Sequence, residues 1–197
     1  SELAGMGTTV VALVLAPDGS GALGWVGDSR AYRFCAGSIE RLSADHSVVG
    51  ELVRSGVITE GQAESHPRRN ELLRAVGPNH SVEPETRVFR HKPGDCFLLC
   101  SDGLWGLVPE AELARVVGFE TPELAVRTLI AKANERGGPD NVTAQIACVA
   151  HPSGEMSVSA PIVAPPWESA SKATTLRLVA AAVVVAALIA LAFCSLR

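Results

Sequence analysis

The chain has 197 residues, of which 47% are hydrophobic and 19% are charged, and its formal net charge is −4. This length fits one domain with an appendage, and the acidic balance with scattered basic residues excludes an electrostatic nucleic-acid binder. Its five cysteines lack Cys-x-x-Cys spacing, which argues against zinc or thiol redox chemistry, and we expect reduced, buried thiols.

Apolar runs separated by turn residues predict β-strands in the first 150 residues. They give three hairpins and a closing strand: residues 8–16 with 22–26, a pair around the 36–38 turn, residues 86–91 with 96–100, and residues 142–149. Hairpins that alternate with helices in blocks favour an α+β layered domain over residues 1–150.

Helical spacing of apolar residues predicts helices between these hairpins. The first begins at Val48, and we interpret His46 just before it as a helix-start residue, although a place near a functional site stays open for it. A short helix is opened by a capping box at Thr59, a third has Pro109 at its first position, and a longer one begins at Pro122.

The composition changes after residue 150. Residues 151–176 are rich in Pro, Ser and Ala and predict a linker. Leu178 to Leu196 is an uncharged run of the length that a bilayer core requires, so residues 177–196 predict a single-pass transmembrane helix. Lys172 and Arg177 on its N-terminal side favour a cytoplasmic globular domain at the inner or plasma membrane.

Two acidic turns lie against the last two predicted strands. Asp102 follows the strand that ends at Cys100, and Asp140 precedes the strand that begins at Val142. If these strands are neighbours, the two carboxylates meet at one sheet edge, where they could bind a hard divalent cation. Asp-Gly and Pro-Asp turns are also ordinary loop chemistry, so a purely structural role stays open.

Seven short motifs occur in an order that carries a family resemblance. They are Met6-Gly7-Thr8-Thr9, Gly27-Asp28-Ser29-Arg30-Ala31-Tyr32, Asp45-His46-Ser47, His66-Pro67-Arg68-Arg69-Asn70, Arg74-Ala75-Val76-Gly77, Ser101-Asp102-Gly103-Leu104-Trp105 and Gly137-Gly138-Pro139-Asp140-Asn141-Val142-Thr143. In this order the chain resembles the C-terminal two-thirds of a bacterial PPM-type (type 2C) metal-dependent Ser/Thr protein phosphatase.

The resemblance implies a β-sandwich of two antiparallel sheets flanked by helices, with two manganese or magnesium ions at one end. By motif match, Asp102 and Asp140 are metal ligands and Asp28 belongs to a third, weaker metal site. Gly103, Asn141 and Arg30 would support this site. Arg30 itself could meet a phosphate, but a structural ion pair is the simpler interpretation.

The resemblance also implies how substrates are chosen. Residues 45–77 match the family's flap beside the active site, and His66, Arg68 and Arg69 are its candidate substrate-selecting residues. The implied substrates are phosphoproteins, and the implied counterpart is a bacterial Ser/Thr kinase.

The family's N-terminal motifs, which carry the bridging aspartate and the phosphate-binding arginine, are not in this chain. Two interpretations follow: a fragment of an active membrane-tethered phosphatase, or a truncated product that is a catalytically inactive, membrane-anchored phosphoprotein-binding pseudophosphatase. A regulatory phosphatase of the anti-anti-sigma type shares the fold and stays open as a third interpretation.

Overall fold

The computed structural model describes residues 5–150. The predicted linker (151–176) and the predicted transmembrane helix (177–196) lie outside the described residues. Among residues 5–150, no helix combines the length and the apolar character needed to cross a membrane.

Seven strands and five helices alternate in blocks along the described chain. They are β1 (Val10–Leu15), β2 (Ser20–Val26), β3 (Arg30–Cys35), β4 (Ser38–Arg41), α1 (Val48–Arg54), α2 (Glu60–Glu64), β5 (Glu85–Arg90), β6 (Cys96–Cys100), α3 (Asp102–Trp105), α4 (Glu110–Phe119), α5 (Pro122–Glu135) and β7 (Ala144–Cys148).

The strands form two antiparallel sheets, as predicted. One has the order β1-β2-β5 and the other the order β4-β3-β6-β7. The predicted hairpin of β5 with β6 is wrong, because β5 pairs with β2 whereas β6 pairs with β3 and β7. The connection between them crosses from one sheet to the other and is fixed by Asp95, which is buried and bonded to Arg33 at 2.5 Å. A turn sequence specifies a change of direction but not the next strand's partner.

Alternating side chains along β3 and β6 serve two separate cores. Ala31 and Phe97 face the other sheet and pack with Leu23, Trp25 and Phe89. Tyr32, Phe34, Leu98 and Cys100 face the opposite way and pack against α4 and α5. The four-stranded sheet is therefore the middle layer between the smaller sheet and the long helices.

Most helix ends follow from local sequence signals. Thr59 and Gln62 form the predicted capping box of α2. Pro109 is the N-cap of α4 rather than its first helical residue. The one-turn helix α3 was not predicted, because four residues are too short to show a helical period.

The expectation of reduced thiols is wrong for one pair of cysteines. Cys96 and Cys148 form a disulfide, whereas Cys35 and Cys100 are free, and Cys194 lies outside the described residues. Cys96 and Cys148 stand directly opposite each other on β6 and β7, with Cα atoms 4.1 Å apart. Sequence spacing indicates only cysteine pairs that are close in the chain, so it does not predict a disulfide between two paired strands.

Candidate functional site

The pairing of β6 with β7 brings the two acidic turns together, as the sequence predicts. The ladder ends at the pair Cys100–Ala144. Beyond it, the Ser101 amide donates to the Thr143 carbonyl at 3.1 Å, and the Thr143 amide donates to Ser101 Oγ at 3.0 Å. These bonds hold the residues beside Asp102 and Asp140 against each other at one end of the sheet.

A glycine allows the closest approach of the two turns. A Cβ atom at Gly103 would lie 2.4 Å from the backbone oxygen of Asn141, closer than real Cβ contacts come. Each aspartate also binds the next amide through Oδ1: Gly103 N lies 2.9 Å from Asp102, and Asn141 N lies 2.7 Å from Asp140. The turns therefore orient both carboxylates with local backbone donors.

Asp28 joins this end of the fold from the loop between β2 and β3. The Trp105 indole Nε1 donates to the Asp28 carbonyl at 3.0 Å, which links the loop to α3. Burial, together with the negative charges of Asp102 and Asp45, raises the pKa of Asp28 to about 6. Asp28 is therefore a part-buried carboxyl close enough to Asp102 and Asp45 for their charges to add to the effect of burial on its pKa, against the opposing charge of Arg30.

Arg30 forms the structural ion pair that its sequence context favours. Its Nε lies 3.0 Å from Asp45 Oδ1 and its Nη2 lies 2.7 Å from Asp45 Oδ2. The guanidinium also stacks on the Trp105 ring, 3.5 Å from the ring centroid. Burial by itself would lower the pKa of Arg30, but the hydrogen bond and charge of Asp45 outweigh it and leave that pKa raised. Arg30 also donates from Nη1 to the Tyr32 hydroxyl at 3.2 Å, so its guanidinium is committed to Asp45, Tyr32 and Trp105.

The flap segment (residues 45–77) contains α1 and α2, and the predicted substrate-selecting residues follow α2. Arg68 binds Glu71 through two nitrogens, at 2.6 and 2.7 Å. His66 Nδ1 accepts from the Arg68 amide at 3.1 Å, and Arg69 is exposed. Within residues 5–150, no hydrogen bond or ion pair connects these three residues to the aspartate turns.

The donor chemistry fits a divalent cation in part. Asp102 and Asp140 offer carboxylate oxygens from turns held in contact, and the raised pKa of Asp28 marks a place where a cation would relieve repulsion. Over the described range, no three His, Cys, Asp or Glu side chains are grouped closely enough to hold one metal ion. These residues therefore supply part of a metal-binding set, not a closed one.

The contacts that Asp45 and His46 make beside this site were not predicted from the sequence. Asp45 was predicted only as the start of the flap segment. For His46 a helix-start role was preferred over a place near a functional site, yet Ser47 is the N-cap of α1. Asp45 binds Arg30, and His46 binds Gly27 and Glu85. Their partners lie 15 to 39 residues away in sequence, and no local pattern signals such contacts.

Comparison with known proteins shows that this chain is similar to protein phosphatases, in a family model and in curated relatives alike. The family model "Protein phosphatase 2C" matches residues 1–148. The serine/threonine phosphatase stp of Listeria innocua is 43% identical over 143 residues, which are 72% of this chain and 56% of that protein.

Solved structures give the same result. The Mycobacterium tuberculosis serine/threonine phosphatase PstP/Ppp matches with a TM-score of 0.69 at 38% identity, covering 75% of this chain and 62% of that one. The catalytic domain of PstP in complex with two manganese ions matches with a TM-score of 0.68 at 34% identity, covering 75% and 60%. The chain thus spans somewhat more than half the length of these relatives.

Proposed function

Because this chain belongs to the protein phosphatase 2C family, we propose that it takes part in removing phosphate from phosphoserine and phosphothreonine residues of proteins, with divalent metal ions. The observation that carries the proposal is the contact between the Asp102 and Asp140 turns at the end of β6 and β7. Two relatives named as serine/threonine phosphatases support the substrate class. The PstP structure that contains two manganese ions supports the choice of Mn²⁺ or Mg²⁺.

Asp102 and Asp140 are the proposed metal ligands, and Asp28 is proposed for a weaker third site. A bound metal pair supplies an activated water and neutralises phosphate oxygens, which together make phosphomonoester hydrolysis feasible. The chain's own contribution is orientation: the amides of Gly103 and Asn141 hold the two carboxylates. Arg30 braces the site through Asp45 and is not proposed as a phosphate ligand.

The proposal includes a place in the cell. The uncharged run from Leu178 to Leu196 would anchor the chain in the inner or plasma membrane, with the phosphatase domain in the cytoplasm. There it would oppose a bacterial Ser/Thr kinase, and the flap segment, including His66, Arg68 and Arg69, would select among its targets. Carbonate extraction should leave the full chain in the membrane pellet, and deletion of residues 178–196 should release it.

A second candidate function is phosphoprotein binding without turnover. The observation that favours it is that the described residues include no cluster of three metal-binding side chains. In that case the chain would be a membrane-anchored pseudophosphatase. Calorimetry on the 197-residue chain distinguishes the two candidates, because this one requires phosphopeptide binding without phosphate release.

The test of the phosphatase proposal measures phosphate released from a phosphothreonine peptide in the presence of Mn²⁺, Mg²⁺ or EDTA. It compares the 197-residue chain with the product of the longest reading frame that contains it. Asp102→Asn and Asp140→Asn should each reduce hydrolysis to the level seen in EDTA, because each removes a charged ligand.

Asp18→Asn is the matched control. Asp18 is exposed in the turn before β2, at the other end of that strand from Asp28. Its carboxylate accepts hydrogen bonds from the amide and hydroxyl of Ser20, and its backbone carbonyl accepts one from Arg90. This variant should keep full activity. Full metal-dependent activity in either Asp102→Asn or Asp140→Asn would overturn the assignment of metal ligands.

A further inference from the structure

His46 is a buried histidine that binds one glycine from two sides. It is 2% exposed. Its backbone amide donates to the Gly27 carbonyl at 3.0 Å, and its ring Nδ1 accepts from the Gly27 amide at 3.2 Å. The other ring nitrogen, Nε2, lies 3.0 Å from Glu85 Oε2. His46 therefore connects the loop after β2 to the first residue of β5.

Gly27 directly precedes Asp28, so its position determines where the Asp28 turn begins. Gly27 has a φ of +103°, and a Cβ there would lie 2.3 Å from Thr9 Cγ2, so this backbone position requires glycine. Thr9 packs directly on this glycine, and the two hydrogen bonds with His46 add a directional restraint on its amide and carbonyl.

His46 also fixes both ends of the helical part of the flap segment. Its carbonyl accepts from the Leu73 amide at 2.7 Å. The next residue, Ser47, pairs with Leu72 in an isolated β-bridge and caps α1 through the Gly50 amide at 3.0 Å. The segment of residues 48–72 thus begins and ends beside His46, which also binds the start of the Asp28 turn through Gly27.

From these contacts we propose that His46 is a positioning residue that couples the flap segment to the Asp28 turn. The inference rests on the proposed function for its catalytic meaning, because the Asp28 turn matters to catalysis only in a phosphatase. The physical coupling itself requires only the contacts described above. Motion of residues 48–72 and displacement of residues 26–30 should therefore occur together.

The hydrogen-bond pattern determines which substitutions separate the two ring contacts. Because Gly27 N donates to Nδ1, the ring proton is on Nε2 and is donated to Glu85. Asparagine places an acceptor oxygen near the Nδ1 position, so His46→Asn keeps the Gly27 contact and loses the Glu85 contact. Glutamine places a donor near the Nε2 position, so His46→Gln does the reverse.

The experiment is amide hydrogen exchange on the full 197-residue chain and on these two variants. In His46→Gln, exchange at residues 26–30 and at 48–74 should both rise about fivefold or more, as expected for one lost hydrogen bond of ordinary strength. His46→Asn should restore exchange at 26–30 toward the wild-type rate. Exchange in β6 and α5 should not change, which separates this coupling from general loss of stability.

Equal exchange of the two variants at residues 26–30 would overturn the proposal. So would faster exchange at 26–30 in His46→Gln with no change at 48–74. If His46→Gln does not fold, Ser47→Ala removes the cap of α1 instead: exchange at 26–30 should then rise together with that at 48–74, and a rise at 48–74 alone would contradict the coupling. None of these measurements uses hydrolysis, so a chain without phosphatase activity would refute the proposed function and leave the coupling intact.

Discussion

Removing one partner of the ion pair between Arg30 and Asp45 should cost the fold much more stability than removing one partner of the exposed pair between Arg68 and Glu71 in the flap segment. The Arg30 and Asp45 side chains are 14% and 7% exposed, whereas Arg68 and Glu71 form a two-nitrogen pair that is at least as short but is 57% and 50% exposed. Removing one partner of a buried pair leaves an uncompensated charge and costs about 3–5 kcal/mol. An exposed pair contributes less than about 1 kcal/mol, because water and salt already screen it.

Asp45→Asn should therefore lower the free energy of unfolding by about 3 kcal/mol. The low end of the range applies because asparagine keeps one acceptor oxygen and because Asp28 is relieved of a neighbouring negative charge. Glu71→Gln, the matched control, should lower it by less than about 1 kcal/mol. Urea denaturation followed by circular dichroism measures both, and a 3 kcal/mol loss corresponds to a midpoint shift of about 1.5 M.

A double variant tests the reasoning further. If the cost comes from a stranded buried charge, Arg30→Met combined with Asp45→Leu should be less destabilised than Asp45→Asn alone, because both charges are gone. Equal losses in Asp45→Asn and Glu71→Gln would refute the argument from burial. A double variant that is worse than the single one would show that the stacking of Arg30 on Trp105 dominates instead.

Three other changes test separate parts of the structure. Gly103→Ala puts a methyl group 2.4 Å from a backbone oxygen and should lower the free energy of unfolding, measured by urea denaturation, by about 2 kcal/mol or more. The control is Gly118→Ala in α4, where a Cβ would meet nothing within 4 Å, and it should be neutral or stabilising by up to about 1 kcal/mol. Cys148→Ser removes a crosslink with a sequence separation of 52 and should lower the free energy of unfolding by about 3–4 kcal/mol. Wild type treated with reductant should be as stable as the variant. If untreated wild type and the variant are equally stable, the disulfide is contradicted. Hydrogen bonds from Lys132 and Arg136 lower the pKa of Glu112 from 4.5 to about 2, so its contribution is present above pH 4.5 and is lost as the pH falls through about 2. The stability difference between wild type and Glu112→Gln should shrink over that interval in acid titrations, and a constant difference would contradict it.

Local sequence patterns were sufficient to predict where most of the strands and helices lie. Alternating apolar residues predicted the strands that pair in each hairpin up to β4, and the capping box at Thr59 predicted the start of α2. The strand that ends before Asp102 and the strand that follows Asp140 were also recognised from composition and turns, and their pairing was a correct hypothesis. These features depend on residues within one or two turns of each other, which is the range that sequence patterns describe.

Contacts between distant segments were decided only by the tertiary structure. Nothing local indicates that β5 leaves its expected partner for β2, that Cys96 lies opposite Cys148, or that the Asp45 carboxylate binds Arg30. The same holds for His46, whose imidazole reaches Gly27 and Glu85. The physical reason is that such contacts arise from how two sheets and their connections pack together, and packing free energy depends on the whole fold rather than on a neighbouring residue.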